Sequence, residues 1–306
     1  MSTVTFEEPG SARNVCADAT FPVEYKPAMY LGGEFDTPMV PRVDSGKNFG
    51  KPKHVFVVRT DTNTALGLHS SRYDKREDGY RTVIDTAESL FPTTTESCTV
   101  YGDGEKLLFT QKIGDDIDVG HSGDVLLPRL VWVSSLNGTW ATSVFNMMSR
   151  PSCDNQLYGA TPLWKAKRTT NHGDLVEIRA EILAKQVAEA ERFAFRARIM
   201  NDITFTDREF RKIVDQLVPV DFGASDRALR NVESKRGSMF YYWRKEVNAW
   251  GLEGQFGNAW LAYNAIQGAE QHHFSKGSAH AKQQAVEGKT PYAKHAMDLL
   301  MAGMGV

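Results

Sequence analysis

Residues 149–159 read Ser-Arg-Pro-Ser-Cys-Asp-Asn-Gln-Leu-Tyr-Gly, and Cys153 within them is the first candidate for chemistry. A thiol nucleophile needs a base within hydrogen-bond reach and surroundings that lower its pKa. No histidine lies nearby in the chain, and the neighbouring Asp154 works in the opposite direction. The other two cysteines, Cys16 and Cys98, are far away in sequence, and no C-x-x-C pair occurs. A thiolate zinc site and a disulfide framework are therefore not expected; free thiols are.

Histidine chemistry is similarly thin. Of the eight histidines, only His272-His273 are close together, with His280 and His295 beyond. There is no H-E-x-x-H pair, and "EQHHF" reads as the end of an apolar helix, where a histidine cation suits the C-terminal dipole. His172, in "TTNHGDLVEI", stands near a helix start; N-capping is the simpler reading, anion binding the sharper one. The acids of "DDID" (115–118) are crowded beside a glycine between strands. They suit a solvated turn better than a two-metal site. Neither a G-x-x-x-x-G-K-[ST] loop, a G-x-G-x-x-G turn nor a G-x-S-x-G elbow is present. No catalytic residue, metal site or cofactor is expected.

What remains is aromatic and basic. "LYGATPLWKAKRTT" joins Tyr158 and Trp164 to Lys165, Lys167 and Arg168. "RFAFRARIM" adds Arg192, Arg196 and Arg198. "DRALRNVESKRGSMFYYWRK" adds Arg227, Arg230, Lys235 and Arg236, followed by Tyr241 to Trp243. Aromatic faces stack unpaired bases and cations follow the phosphates, which is what sequence-tolerant single-strand binding requires. The competing reading makes Met239, Phe240, Tyr241 and Trp243 core and leaves the arginines solvated. Charge follows the same division. Residues 165–245 hold 17 Lys+Arg against 12 Asp+Glu, whereas residues 1–164 hold 15 against 21, in a chain of net charge −2. A positive segment in an acidic chain fits a polyanion footprint, and equally a helical region laced with surface ion pairs.

The elements that must position these residues form two successive kinds. Residues 1–50 are rich in Pro and Gly and read as an extended arm. "HVFVVRTDTNTALGLHSSRY" (54–73) predicts a hairpin turning at Asp61–Thr64, and residues 79–91 predict a helix burying Val83, Ile84, Ala87 and Leu90. Strands follow, with Asn137-Gly138 predicting a type I′ turn between 131–136 and 139–147. From 174 to 200 the pattern predicts a long helix opening on Asp174-x-x-Glu177, with Leu175, Ile178, Ile182, Val187 and Phe193 apolar and Glu181–Lys185 paired. Helices then start at Thr206 and continue through 238–250 and 255–273. The fold class expected is α+β, a mostly antiparallel sheet over 54–147 followed by helices over 174–273. Residues 51–273 would form one domain, with a helical tail over 274–306. With 306 residues, 41% hydrophobic and 24% charged, the composition is that of a soluble globular protein. No apolar run is long enough to span a membrane, and "MSTVTFEEPGSARN" lacks the features of a secretory signal.

Several spaced pieces together resemble the phage- and plasmid-associated family grouped as domain of unknown function 932. They are "VRTDTNTALGLHSSRY" (58–73), "GDVLLPRLVWVSSLNGTWAT" (123–142), "RPSCDNQLYG" (150–159), "NHGDLVEIRAEIL" (171–183) and "GNAWLAYNAIQGAEQH" (257–272). Two steps depart from the family pattern: Ser134 to Thr139 lack its usual His-Asp, and the helix start reads Asn171-His172-Gly173-Asp174. The resemblance implies a bacteriophage, prophage or plasmid origin and a role in the cytoplasm of a bacterial host. The organisation is also similar, more distantly, to the phage single-strand annealing proteins of the RecT and Redβ type. That likeness implies a homo-oligomer that binds and anneals single-stranded DNA without catalysis. The basic residues from Lys165 to Arg236, with Trp164, would then carry the contacts. The alternatives are a metal-dependent nuclease or hydrolase built from scattered His and Asp, and a phage protein that binds a host factor.

Overall fold

A computed structural model describes residues 2–27, 29–30, 40–41, 54–70, 79–92, 94–120, 124–150, 155–166, 175–221, 223–249, 251 and 256–303. The fold is α+β, with antiparallel sheets up to about residue 166 and helices thereafter. The chain divides into two compact units. The first comprises residues 1–113, 129–146 and 161–186, and the second residues 114–128, 147–160 and 187–306. Cys153, His172, Asp174, Lys167 and Arg168 lie outside the described residues.

In the first unit the leading residues are strand and helix. β1 (Ser2–Gly10) pairs antiparallel with β7 (Thr95–Tyr101), Val4 opposite Cys98. Ser11 caps the short α1 (Ala12–Val15). β2 (Val23–Pro27) lies on β5 (His54–Arg59), which forms the expected hairpin with β6 (Thr64–Ser70). The turn takes Asn63 to φ 54°, a left-handed value that asparagine tolerates. Between them β3 (Met29–Tyr30) and β4 (Val40–Pro41) make a two-residue ladder. The helix expected over 79–91 is α2 (Arg81–Leu90), with Val83, Ile84, Ala87 and Leu90 buried as the spacing predicts. Tyr80, at its start, donates its hydroxyl to Gly104 O at 2.9 Å and accepts from Leu136 N at 3.2 Å.

The main sheet runs β1-β7-β8-β10-β11-β12, with β8 at Lys106–Lys112, β10 at Val125–Ser135, β11 at Thr142–Arg150 and β12 at Asn155–Ala166. A two-residue β9 (Ile117–Asp118) pairs with the start of β10. Register places Phe109 opposite Trp132, and their rings stack 5.9 Å apart at 2° in the centre of this unit's core. Each such fully buried aromatic contributes roughly 2–3 kcal/mol of transfer free energy. The β10–β11 hairpin forms, but not on a two-residue type I′ turn. Residues 136–141 separate the strands and only Gly138 takes positive φ, at 74°. Asn137 instead accepts from Thr139 N and Oγ1 at 3.1 and 2.6 Å, an Asx turn that lengthens the connection.

In the second unit the core is helical. α3 (Leu175–Asn201) enters it from Val187 onward, burying Ala190, Ala194, Ala197 and Met200. Val187, expected on the apolar side, is instead 50% exposed: its neighbour Gln186 takes the buried position in that turn. The expected Glu181–Lys185 pair is present at 2.5 Å. The ribbon β13 (Thr204–Thr206) and β14 (Phe256–Asn258) flanks α4 (Asp207–Leu217), which opens on a full Thr206–Glu209 capping box. α5 (Asp226–Ala249), α6 (Ala259–Gly268), α7 (Ser278–Val286) and α8 (Pro291–Gly303) complete the unit. Every residue of α6 is buried. α6 does not stop at Gly268 but passes into a π turn over Ala269–His273, closed by Phe274 N on Ala269 O at 3.0 Å.

The arginine that leads the "RPSCDNQLYG" stretch has a structural task. Arg150, at the end of β11, donates Nε to Asp124 Oδ2 and Nη1 to Glu246 Oε2, both at 2.6 Å. Trp260 Nε1 donates to the same Asp124 oxygen at 2.8 Å. The network is sealed from solvent and offers no approach to a substrate.

Candidate nucleic-acid interface

The long helix α5 owes its orientation to Trp243. That ring stacks on Phe210, 4.8 Å away at 13°, and its Nε1 donates to Asp207 Oδ1 at 2.6 Å. With Met239, Trp243, Glu246 and Val247 facing inward, helical periodicity turns Tyr241, Arg244 and Lys245 outward. Tyr241 is 65% exposed. Tyr242 is half-buried, and its ring lies stacked on His272 of the π turn, centroids 6.1 Å apart at 26°. Tyr241 meets Tyr242 edge-on at 5.3 Å, and Lys245 Nζ sits 5.8 Å from the Tyr242 ring centre.

The π turn makes this arrangement possible. An extra residue in the turn rotates the following side chains relative to a regular helix. His272 and His273 thereby face solvent, while Glu270 and Gln271 point inward. Glu270 accepts the Tyr292 and Ala293 amides at 3.1 and 2.9 Å, so its carboxylate caps α8 from another helix. Desolvation pushes the Glu270 carboxyl above its ordinary range, and those two amides partly oppose the shift. Desolvation, and then the nearby Tyr241, raise the Tyr242 phenol. It therefore stays neutral at physiological pH, as a stacking surface should. The cluster combines aromatic rings with two exposed cations, Arg244 and Lys245, on one surface of the second unit. Base stacking and phosphate neutralisation are what such a surface can do.

A smaller surface of the same kind lies on α3, where Phe195 is 59% exposed between Arg192 and Arg196 on the outward side. Arg192 pairs with Glu189 at 2.9 Å, an exposed contact of little energetic weight that leaves the guanidinium accessible.

The residues expected to carry binding are divided by the fold. Lys165, Arg196, Arg227 and Arg230 are exposed, as is Arg192. Arg198 is held by the Asp118 carbonyl, which accepts from Nε at 3.1 Å and Nη2 at 3.0 Å. Lys235 donates to Tyr292 Oη at 2.8 Å and lies over the Phe274 and Tyr292 rings. Arg236 closes the end of α4 through Val218 O and pairs with Asp215, both at 2.9 Å. Trp164 packs in the first unit, 6.3 Å from Trp132. Sequence reasoning grouped Tyr241, Tyr242 and Trp243 without separating the outward ring from the anchoring one. It also missed the pairing of Tyr242 with His272. The 3.6-residue period of α5 separates Tyr241 from Trp243, but nothing local announces the π turn. Asp115, Asp116 and Asp118 are exposed, and Asp118 Oδ1 accepts from Gly120 N at 2.8 Å, a turn role. Among the described residues no three His, Cys, Asp or Glu converge on a point where a metal ion could be held.

The model of the family described as Domain of unknown function (DUF932) matches residues 70–295. No curated protein and no solved structure matches the chain.

Proposed function

This chain belongs to the DUF932 family, and we propose that it is a non-catalytic protein that binds and anneals single-stranded DNA as a homo-oligomer in the bacterial cytoplasm. The observation that carries the reading is the surface cluster in which exposed Tyr241, His272 and Lys245 surround the half-buried Tyr242 ring. Its rings are prearranged in contact, so little side-chain entropy is lost when a base stacks on them. The Phe195 surface, with Arg192 and Arg196, supplies a second contact of the same chemistry. Unpaired bases expose both faces for stacking, whereas duplex bases do not; the reading therefore favours single strands. Among the described residues no helix is long and apolar enough to cross a membrane.

The test is fluorescence anisotropy with a labelled oligonucleotide, single-stranded and then duplex, over a salt series. Binding of the single strand that weakens steeply with salt, with weaker binding of the duplex, supports the reading. A labelled single strand left unbound at low salt ends it. Strand annealing is scored separately, by the rate at which two complementary labelled strands pair with and without the protein.

A further inference from the structure

One side of α5 departs from the preferences that stabilise an exposed helix. Arg227, Arg230, Ser234, Gly237, Tyr241 and Lys245 recur at spacings of three and four, so they fall on one line along the helix, and all six are exposed. The line carries three cations and no acid; Asp226 and Glu233 lie to one side of it. A solvated helix face gains support when acids and bases alternate at i, i+4. Among the described residues the Arg227 and Arg230 side chains make no ion pair, whereas Arg192 pairs with Glu189 and Arg236 with Asp215.

Two of these residues also work against the helix itself. Arg227 stands in the first turn, where the positive end of the helix dipole disfavours a cation. Gly237 lies in the middle, where glycine is the poorest helix former after proline. A Cβ built on Gly237 would meet no atom within 4 Å, and the backbone there is not left-handed. Neither packing nor conformation therefore calls for a glycine. Local choices that weaken an element without helping the fold are expected where the surface serves binding.

We infer that this line is a track on which an unpaired polynucleotide lies lengthwise along α5. The inference rests on the single-strand reading above and adds a path to it. Phosphates follow Arg227 and Arg230 at one end and Lys245 at the other, and a base stacks on Tyr241. Between them the strand passes close over Gly237, where no side chain holds it away from the helix backbone. From Arg227 to Lys245 the helix rises roughly 27 Å. At the ~3.4 Å spacing of stacked nucleotides, one protomer then covers at most about 8 of them. An exposed ring beside bare backbone suits a base free to turn toward the helix, which a paired base is not.

The experiment uses the full chain with labelled oligo(dT) of about 8 nucleotides and a duplex of equal length, over a salt series, beside thermal melting. G237L should melt as high as the wild type or higher, because leucine is the better helix former. It should nevertheless bind oligo(dT) at least roughly 5-fold more weakly, because its side chain stands in the path. R227Q/R230Q should keep the wild-type Tm and reduce the slope of log affinity against log salt by about 1.4. A wild type that binds no oligo(dT) ends the single-strand reading and the track together. A wild type that binds it, with either variant binding as tightly, overturns the track alone and leaves the Tyr241 contact standing. Equal affinity for the duplex, lost in parallel in both variants, would also overturn the track, because the line would then be a groove-binding surface.

Discussion

Arg150 and Asp124 form an ion pair at 2.6 Å with side-chain exposures of 0% and 2%. Such a pair, with Glu246 on the other arm of the guanidinium, adds little net stability when intact but is costly to break from one side. R150M leaves two carboxylates in a dry core without their counterion. Urea unfolding should show a loss of about 3–5 kcal/mol. Replacing all three charges together, as R150M/D124N/E246Q, should recover part of that loss. A loss below about 1 kcal/mol for the single variant would mean that water reaches the site.

Glu270 gives the second unit a pH dependence of definite sign. Its carboxyl titrates above the ordinary range in the folded chain because burial disfavours the charge. The folded state therefore holds the proton more tightly than the unfolded state. That contribution to stability is complete below the ordinary carboxylate range and is lost as pH rises through the folded value. E270Q cannot titrate, so the Tm difference between wild type and E270Q should shift against the wild type across that window. A difference that is flat with pH, with both proteins folded, would show that the carboxyl is hydrated.

How far the sequence discloses this fold is clearest where local pattern and tertiary contact can be compared. α2 was legible because its four buried positions recur at helical spacing and Pro92 stops it. α4 was legible because Thr206 and Glu209 form a capping box three residues apart. The β10–β11 turn was misjudged because Asn-Gly is a local signal, whereas the connection is shaped by β6. His69 Nε2 lies 2.5 Å from Leu136 O, and its ring packs on Gly138. The candidate surface was half legible. Composition located the basic and aromatic segment, but it could not tell that Lys235, Arg236 and Arg198 are occupied by Tyr292, Val218 and Asp118.

Gly67 shows the same contact from the other side. A Cβ built there would lie 2.5 Å from Asn137 Cα and 2.8 Å from Leu136 O, both backbone atoms that cannot rotate away. G67A should therefore separate β6 from the 136–141 connection and cost about 1–3 kcal/mol in chemical unfolding. Unchanged stability would mean that the connection moves freely on β6.

The stacking surface yields the most discriminating prediction, because Tyr241 is exposed enough to be removed without disturbing the core. Y241A should keep the wild-type Tm and lower single-strand affinity by about 1–3 kcal/mol, roughly 5- to 150-fold, whatever the sequence bound. K245A acts on phosphate rather than on bases. It should weaken binding at low salt and reduce the slope of log affinity against log salt by about 0.7. Trp243 is the internal control. W243A removes the ring stacked between α5 and Phe210, so its effect should appear as lost stability, about 3–5 kcal/mol, rather than as a selective binding defect. If Y241A and K245A bind single strands as the wild type does, the surface on α5 is not the contact, and the Phe195 surface remains as the one to mutate.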